Sequence, residues 1–139
     1  ITPNVYEAAW LTGMTIKSLD TARDAAQALR AMGPGLVVIT GISCGAELAT
    51  LALDGELAWV VMTPKLGLAS HGAGDAFTAL FLGCYLASRS ARDALSRAAS
   101  GLHAILQTSL DAKNDGDLRL IQALDAAVAP RKLYAAQQL

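Results

Sequence analysis

A chain of 139 residues is long enough to bury one core and too short for two comfortable ones, so one domain or part of one is expected. Hydrophobic residues make up 53% but aromatics only 5%, and alanine supplies the excess, which favours close helix packing over an all-β core. Eleven Lys and Arg nearly balance twelve Asp and Glu without any block of like charge, which argues against a nucleic-acid or membrane-surface binder.

The chain opens on Ile1-Thr2-Pro3-Asn4 with no initiator Met, no basic region and no signal-type core. It reads as a strand about to end, so further sequence upstream is expected. Apolar residues at helical spacing then predict helices over Tyr6 to Thr12 and Leu19 to Met32, the second capped by Ser18 or Asp20 and stopped by Gly33-Pro34-Gly35. Leu36 to Thr40 is a short run rich in β-branched residues and bounded by glycines, the pattern of a strand covered on both faces. Ala46 to Leu53 and Glu56 to Met62 read as an antiparallel pair turned at Asp54-Gly55.

Thr63 to Ser70 has no periodicity and is expected to be a loop leading into His71-Gly72-Ala73-Gly74-Asp75. Three helices follow: Asp75 to Ser88, Ala91 to Leu110, and Asp117 to Val128. Ser90 and Asp115 or Asp117 are the expected caps, and Pro130 closes the last. The longest apolar stretch, Ala76 to Ala87, is too short for the roughly 20 residues a bilayer demands and reads as a buried helix. Cys44 and Cys84 lack metal-ligand spacing, which fits two reduced, mostly buried thiols and a cytoplasmic location. The element order implies an α/β sheet with helices on both faces, but with too few strands to complete one.

Two short patterns carry chemistry. Gly72-Ala73-Gly74-Asp75 stands at the start of an apolar helix, where small residues let successive N–H groups close on an anion and Asp75 can serve as a base. A glycine-rich turn with Asp75 as an ordinary helix cap is the competing reading. Asn4 and Glu7, at i and i+3 where a strand passes into a helix, can organise magnesium and its waters, or act as a helix cap and its dipole partner. A carboxylate beside an anion-binding helix terminus is a sensible combination for phosphoryl transfer.

Thr2-Pro3-Asn4-x-x-Glu7 resembles the T-P-N-x-x-E segment of pyridoxal kinases, a form of the N-x-x-E motif of the ribokinase superfamily. Gly72-Ala73-Gly74-Asp75-Ala76-Phe77 resembles that superfamily's G-A-G-D-x-F signature. Ser100-Gly101-Leu102-His103-Ala104-Ile105-Leu106-Gln107 is similar to an S-x-L-H-x-x-L-Q helix of pyridoxal kinases, as is the tail Pro130 to Leu139 with Tyr134 to their carboxyl terminus. The resemblance implies a ribokinase-like three-layer αβα sandwich, of which residues 1–139 are the carboxyl-terminal, nucleotide-binding and catalytic part, with an antiparallel hairpin.

It further implies ATP-dependent phosphorylation of the 5′-hydroxyl of pyridoxal, pyridoxine or pyridoxamine. Asp75 would take the hydroxyl proton while Gly72, Ala73 and Gly74 stabilise the moving phosphoryl group. Glu7, helped by Asn4, would hold Mg2+ through water, and Thr40 with Thr63, Pro64, Lys65 and Leu66 would contact the nucleotide. Members are commonly homodimers.

Ala73 departs from the Thr or Val of several such kinases, which a backbone-built anion site tolerates. Sugar, nucleoside and hydroxymethylpyrimidine kinases of the same superfamily are the alternatives, the last usually carrying Cys where Asp75 stands. A non-catalytic nucleotide-binding or partner-binding remnant is a further alternative. His71 reads as an exposed loop residue, His103 as a packed helix residue bordering the nucleotide pocket, and Lys65 as either a phosphate contact or a solvent-facing lysine. Trp10 and Trp59 are expected in the core or a pocket wall.

Overall fold

The fold comes from a computed structural model that describes residues 1–67, 71–112 and 117–139. Helix α1 (Val5–Thr12) and helix α2 (Leu19–Ala31) come first, followed by strands β1 (Leu36–Cys44), β2 (Glu47–Asp54) and β3 (Leu57–Pro64). Helices α3 (Ala73–Ser88), α4 (Ala91–Asp111) and α5 (Leu124–Val128) precede a short strand β4 (Gln137–Gln138). The four strands lie in the order β1-β2-β3-β4, and each neighbouring pair is antiparallel.

Both hairpins turn on two residues, Gly45-Ala46 and Gly55-Glu56, and the first residue of each turn has positive φ, 62° and 59°. Only glycine enters that region without strain, which is why the chain reverses there. The predicted Asp54-Gly55 turn is therefore present, and β1 joins the same meander. The opening segment runs parallel beside β1: Val38 N–H donates to Ile1 O at 2.9 Å and Thr40 N–H to Pro3 O at 3.0 Å.

Side-chain alternation along the strands divides the core in two. Val37, Ile39, Leu51, Leu53 and Val60 pack beneath α1 and α2, meeting Ala8, Ala22, Ala25, Ala26 and Leu29. Val38, Ala52 and Val61 point the other way, onto Phe77 and Phe81 of α3 and Ala94, Leu95 and Ala98 of α4. Helices thus cover both faces of the sheet, and the many alanines let them approach closely, as the composition implies.

Four expectations need correction. The strand predicted to end at Thr40 continues to Cys44, because a bulge between Ile39 and Ile42 accommodates Gly41 at φ 79° and returns Ile42 to the face of Ile39. The stretch Ala76 to Ala87 is not a buried helix all round: α3 buries Phe77 and Phe81, while Leu82 and Leu86 remain over half exposed. The helix predicted from Asp117 begins only at Leu124. Ahead of it, Ser109 Oγ accepts from Arg119 N–H at 2.9 Å, and residues 120–123 make a turn. The N-cap of α5 is accordingly Ala123 rather than Asp117, and Asp115 lies outside the described residues; β3 takes in Thr63 and Pro64 from the expected Thr63 to Ser70 loop, whose end also lies outside them. The tryptophans are as expected: Trp10, 77% exposed, lines a surface cavity, and Trp59 packs against the α3–α4 side with Arg92 over its ring.

The remaining capping expectations are met. Ser18 accepts from Thr21 N–H, and Ser90 from Asp93 N–H. Cys44 and Cys84 are free and half-buried, and burial raises the Cys84 thiol pKa against the opposing influence of Arg97. Among the described residues no helix is long and apolar enough to cross a membrane.

Candidate functional site

A cleft of about 310 Å³ opens between the β-meander and helices α3 and α4. Its volume falls within the few hundred cubic ångströms typical of small-molecule sites. Five elements meet there. The β1 bulge brings Thr40 and Gly41, β2 brings Leu48 and Thr50, and the end of β3 and the following loop bring Thr63, Pro64 and Leu66. The first turn of α3 contributes Ala73 and Gly74, with Phe77 a turn later, and α4 contributes Ala99, Leu102, His103 and Leu106.

Among the described residues helix α3 starts without side-chain help: its N-cap is Gly72 at φ 81°, with no side-chain capping bond. The first intrahelical bond there runs from Ala76 N–H to Gly72 O at 3.0 Å. The N–H groups ahead of it have no place in the helix ladder and stand at the positive end of a 16-residue helix. Gly74 matters for access, since a Cβ built on it meets nothing within 4 Å and its φ is not positive. The backbone would tolerate a side chain there, and glycine leaves room for an anion to reach the amides.

Asp75 is exposed and sits at the third position of α3, so it is not the helix cap of the competing reading. It and Gly72 are exposed and flank Ala73 and Gly74 in the chain, outside the cleft lining.

Asn4 and Glu7 form a reciprocal capping box at α1: Asn4 Oδ1 accepts from Glu7 N–H and Glu7 Oε2 from Asn4 N–H, both at 2.9 Å. The helix-cap reading of this pair is thus realised. Neither residue lines the cleft. Glu7 borders a separate, shallower cavity with Ile1, Thr2, Pro3, Tyr6, Trp10 and Leu11, which makes Trp10 a cavity wall.

Two contacts nevertheless tie the chain at the α1 start to elements that border the cleft, one to β1 and one to α3. Asn4 bridges to Thr40 across the parallel pairing. Thr2 and Thr78 hydroxyls lie 2.8 Å apart, and because Thr78 spends its hydrogen on Gly74 O, Thr2 is the donor. Among the described residues no group of three or more His, Cys, Asp or Glu converges to hold a metal. One carboxylate and one amide oxygen suit a hard ion that keeps most of its waters, as magnesium does, and do not amount to a closed metal cage.

Of the predicted nucleotide contacts, Thr40, Thr63, Pro64 and Leu66 share the cleft, while Lys65 turns away. Its ammonium donates to Ser43 Oγ at 2.6 Å and to Gly45 O at 2.7 Å, holding the β1–β2 turn. His71 is exposed. His103 does border the cleft, and its pKa is lowered from the ordinary 6.5, first by burial and then by the charge of Lys132. The sequence reading missed Gly41, Leu48, Thr50, Phe77, Ala99, Leu102 and Leu106. Period-two spacing of Leu48 and Thr50 and helical spacing of Ala99, Leu102 and Leu106 put each set on one face, but which face borders a cavity depends on the packing.

The family model described as phosphomethylpyrimidine kinase matches residues 1–118. A pyridoxal kinase of Rubrobacter xylanophilus is 38% identical over 135 residues, covering 94% of this chain and 46% of the relative. The crystal structure of pyridoxal kinase from Entamoeba histolytica superposes with a TM-score of 0.88 at 22% identity, covering all of this chain and 50% of that one. Pyridoxal kinase from Leishmania donovani, solved in complex with ADP and pyridoxamine, gives a TM-score of 0.89 at 22% identity, covering 99% of this chain and 50% of that one. The chain spans about half the length of the curated relatives it matches. It belongs to the phosphomethylpyrimidine kinase family and matches that family's pyridoxal kinase relatives over half their length.

Proposed function

We propose that this chain is the nucleotide-binding and catalytic part, the carboxyl-terminal portion, of a ribokinase-like αβα kinase that transfers phosphate from ATP to the 5′-hydroxyl of pyridoxal, pyridoxine or pyridoxamine. The observation that carries the reading is the single cleft in which Thr40, Thr63, Pro64 and Leu66 face the uncapped start of α3 at Ala73 and Gly74. The solved relative bound to ADP and pyridoxamine supports the choice of ligands.

Apolar Leu48, Pro64, Leu66, Leu102 and Leu106 suit a nucleobase, and the amides around Ala73 and Gly74 suit the phosphates. Charge spreads over the equatorial oxygens of the transferred group in the transition state, and fixed N–H dipoles aimed there stabilise it without reorganising. Asp75, exposed and one residue beyond Gly74 of the lining, accepts the proton of the attacking hydroxyl. Asn4 and Glu7 would hold magnesium through water while keeping their capping bonds. Magnesium, when bound, neutralises charge on the phosphate oxygens. Assembly as a cytoplasmic homodimer belongs to the same proposal.

The test is a coupled assay of pyridoxal phosphorylation with Mg-ATP on the intact protein, run beside a panel of sugars, nucleosides and hydroxymethylpyrimidine. Asp75→Asn is expected to cut turnover by at least about 100-fold, the usual contribution of a positioned base, with ATP affinity nearly intact. Unchanged turnover removes Asp75 from its role. A preferred non-B6 substrate moves the assignment to another branch, and ATP binding without any turnover favours a nucleotide-binding remnant.

A further inference from the structure

The carboxyl-terminal segment is fixed along α4 by hydroxyls buried in that helix. Ser100 Oγ donates to Ser96 O at 2.6 Å and accepts from Tyr134 N–H at 2.8 Å. Ser96 Oγ donates to Arg92 O at 3.1 Å and accepts from Ala136 N–H at 2.8 Å. Strand β4 then pairs with β3, and Leu139 N–H donates to Ala58 O at 2.9 Å. These bonds explain why two serines are buried at i and i+4: each offers a lone pair to a tail amide that would otherwise be unsatisfied.

Held this way, Tyr134 meets His103. The ring centroids are 5.0 Å apart with planes inclined at 54°, and the Tyr134 hydroxyl is 3.4 Å from His103 Nε2. The Lys132 ammonium sits 4.6 Å from the centre of the Tyr134 ring. His103 lines both the cleft and a third cavity, of about 420 Å³, bordered by Gln107, Arg131 and Lys132. On the cleft side it accompanies Leu102 and Leu106, the apolar part of the lining. Burial and the neighbouring Lys132 favour the uncharged imidazole, a flat ring able to stack on a base.

We propose that the carboxyl-terminal segment sets nucleobase affinity in this cleft, with Tyr134 as a positioning residue that holds the His103 ring against the base. The inference rests on the nucleotide reading above and adds to it a coupling between the tail and the cleft.

The chain and its variants are titrated with Mg-ATP and, separately, with inorganic tripolyphosphate, which carries the phosphates without the base. His103→Ala and Tyr134→Ala are each expected to weaken ATP binding about tenfold, the double variant is expected to be no weaker than either single one, and tripolyphosphate binding is expected to stay unchanged. Tyr134→Phe keeps the ring contact and is expected to restore near-native ATP affinity. Where an alanine variant does not fold, His103→Gln and Tyr134→Leu carry the same expectations.

Unchanged ATP affinity in the Tyr134 variants, equal loss for ATP and tripolyphosphate, or additive effects in the double variant overturns the coupling while leaving the nucleotide reading in place. A native chain that binds neither ligand overturns both.

Discussion

Gly101 lies buried on α4 where α5 crosses it. A Cβ added there meets the Ala127 carbonyl oxygen at 2.5 Å, Leu80 Cδ1 at 3.3 Å and the Ala127 carbonyl carbon at 3.4 Å. An ordinary carbon–oxygen contact is about 3.3 Å, so Gly101→Ala obliges α5 to retreat by about 0.8 Å. Two effects compete. Alanine in a helix interior gains about 0.8–1 kcal/mol over glycine. Overpacking a filled site costs about 1–3 kcal/mol, and the clashing atom is backbone, which cannot rotate away.

The small cluster of Ile105, Ala123 and Ala127 that seats α5 also loses contact as the helix withdraws. The expected balance is destabilisation of about 1 kcal/mol, or a melting point lower by about 4 °C for a domain of this size. Thermal denaturation followed by circular dichroism measures it. A melting point raised by several degrees would refute the reasoning, because it would show that α5 yields freely and helix propensity decides.

Gly74→Ala should raise the melting point by up to about 4 °C, since nothing crowds the new Cβ and alanine favours the helix by up to about 1 kcal/mol, while lowering ATP affinity at least about tenfold by blocking approach to the α3 amides; thermal denaturation reads the first effect and calorimetric titration the second. Asn4→Ala should cost about 0.5–2 kcal/mol in urea unfolding through loss of the α1 capping box, and Asn4→Asp should retain most of that stability because its carboxylate can still accept from Glu7 N–H. His103 has its folded pKa depressed, so the unfolded chain binds more protons and stability rises with pH in that window. Its contribution should be intact above about pH 6.5 and should decline as pH falls from there toward the lower folded value, and His103→Gln should remove that part of the pH dependence.

Where local chemistry decides the structure, the sequence was enough. Ser18 and Ser90 cap their helices because a hydroxyl at the N-cap satisfies an amide that the helix leaves free. The turn at Gly55 follows from glycine's access to positive φ. The G-A-G-D pattern marked the start of α3, and Thr40 with Thr63 to Leu66 marked much of the cleft. Long-range packing was not legible. Gly41 looked like a strand boundary, yet it is absorbed in a bulge because Ile42 still finds the α1–α2 core.

Leu118, Leu120 and Ile121 looked like part of a helix, but Arg119 N–H is taken by Ser109, ten residues earlier in the chain. Lys65 looked available to phosphate, but the β1–β2 turn places Ser43 and Gly45 within its reach. The pairing of Tyr134 with His103 depends on Ser96 and Ser100 of α4, which lie 40 and 34 residues before the tail amides they accept from, and only the folded chain brings them together.

The claim on which the rest depends is that the start of α3 and the β-meander together hold a nucleotide. Amide chemical-shift mapping by NMR during titration with Mg-ATP tests it most directly. The account predicts the largest shifts at Gly72 to Asp75, Thr40 and Gly41, Thr63, and Leu102 to Leu106. Shifts confined to the Tyr6–Trp10 face, or no saturable shift at all, would contradict it.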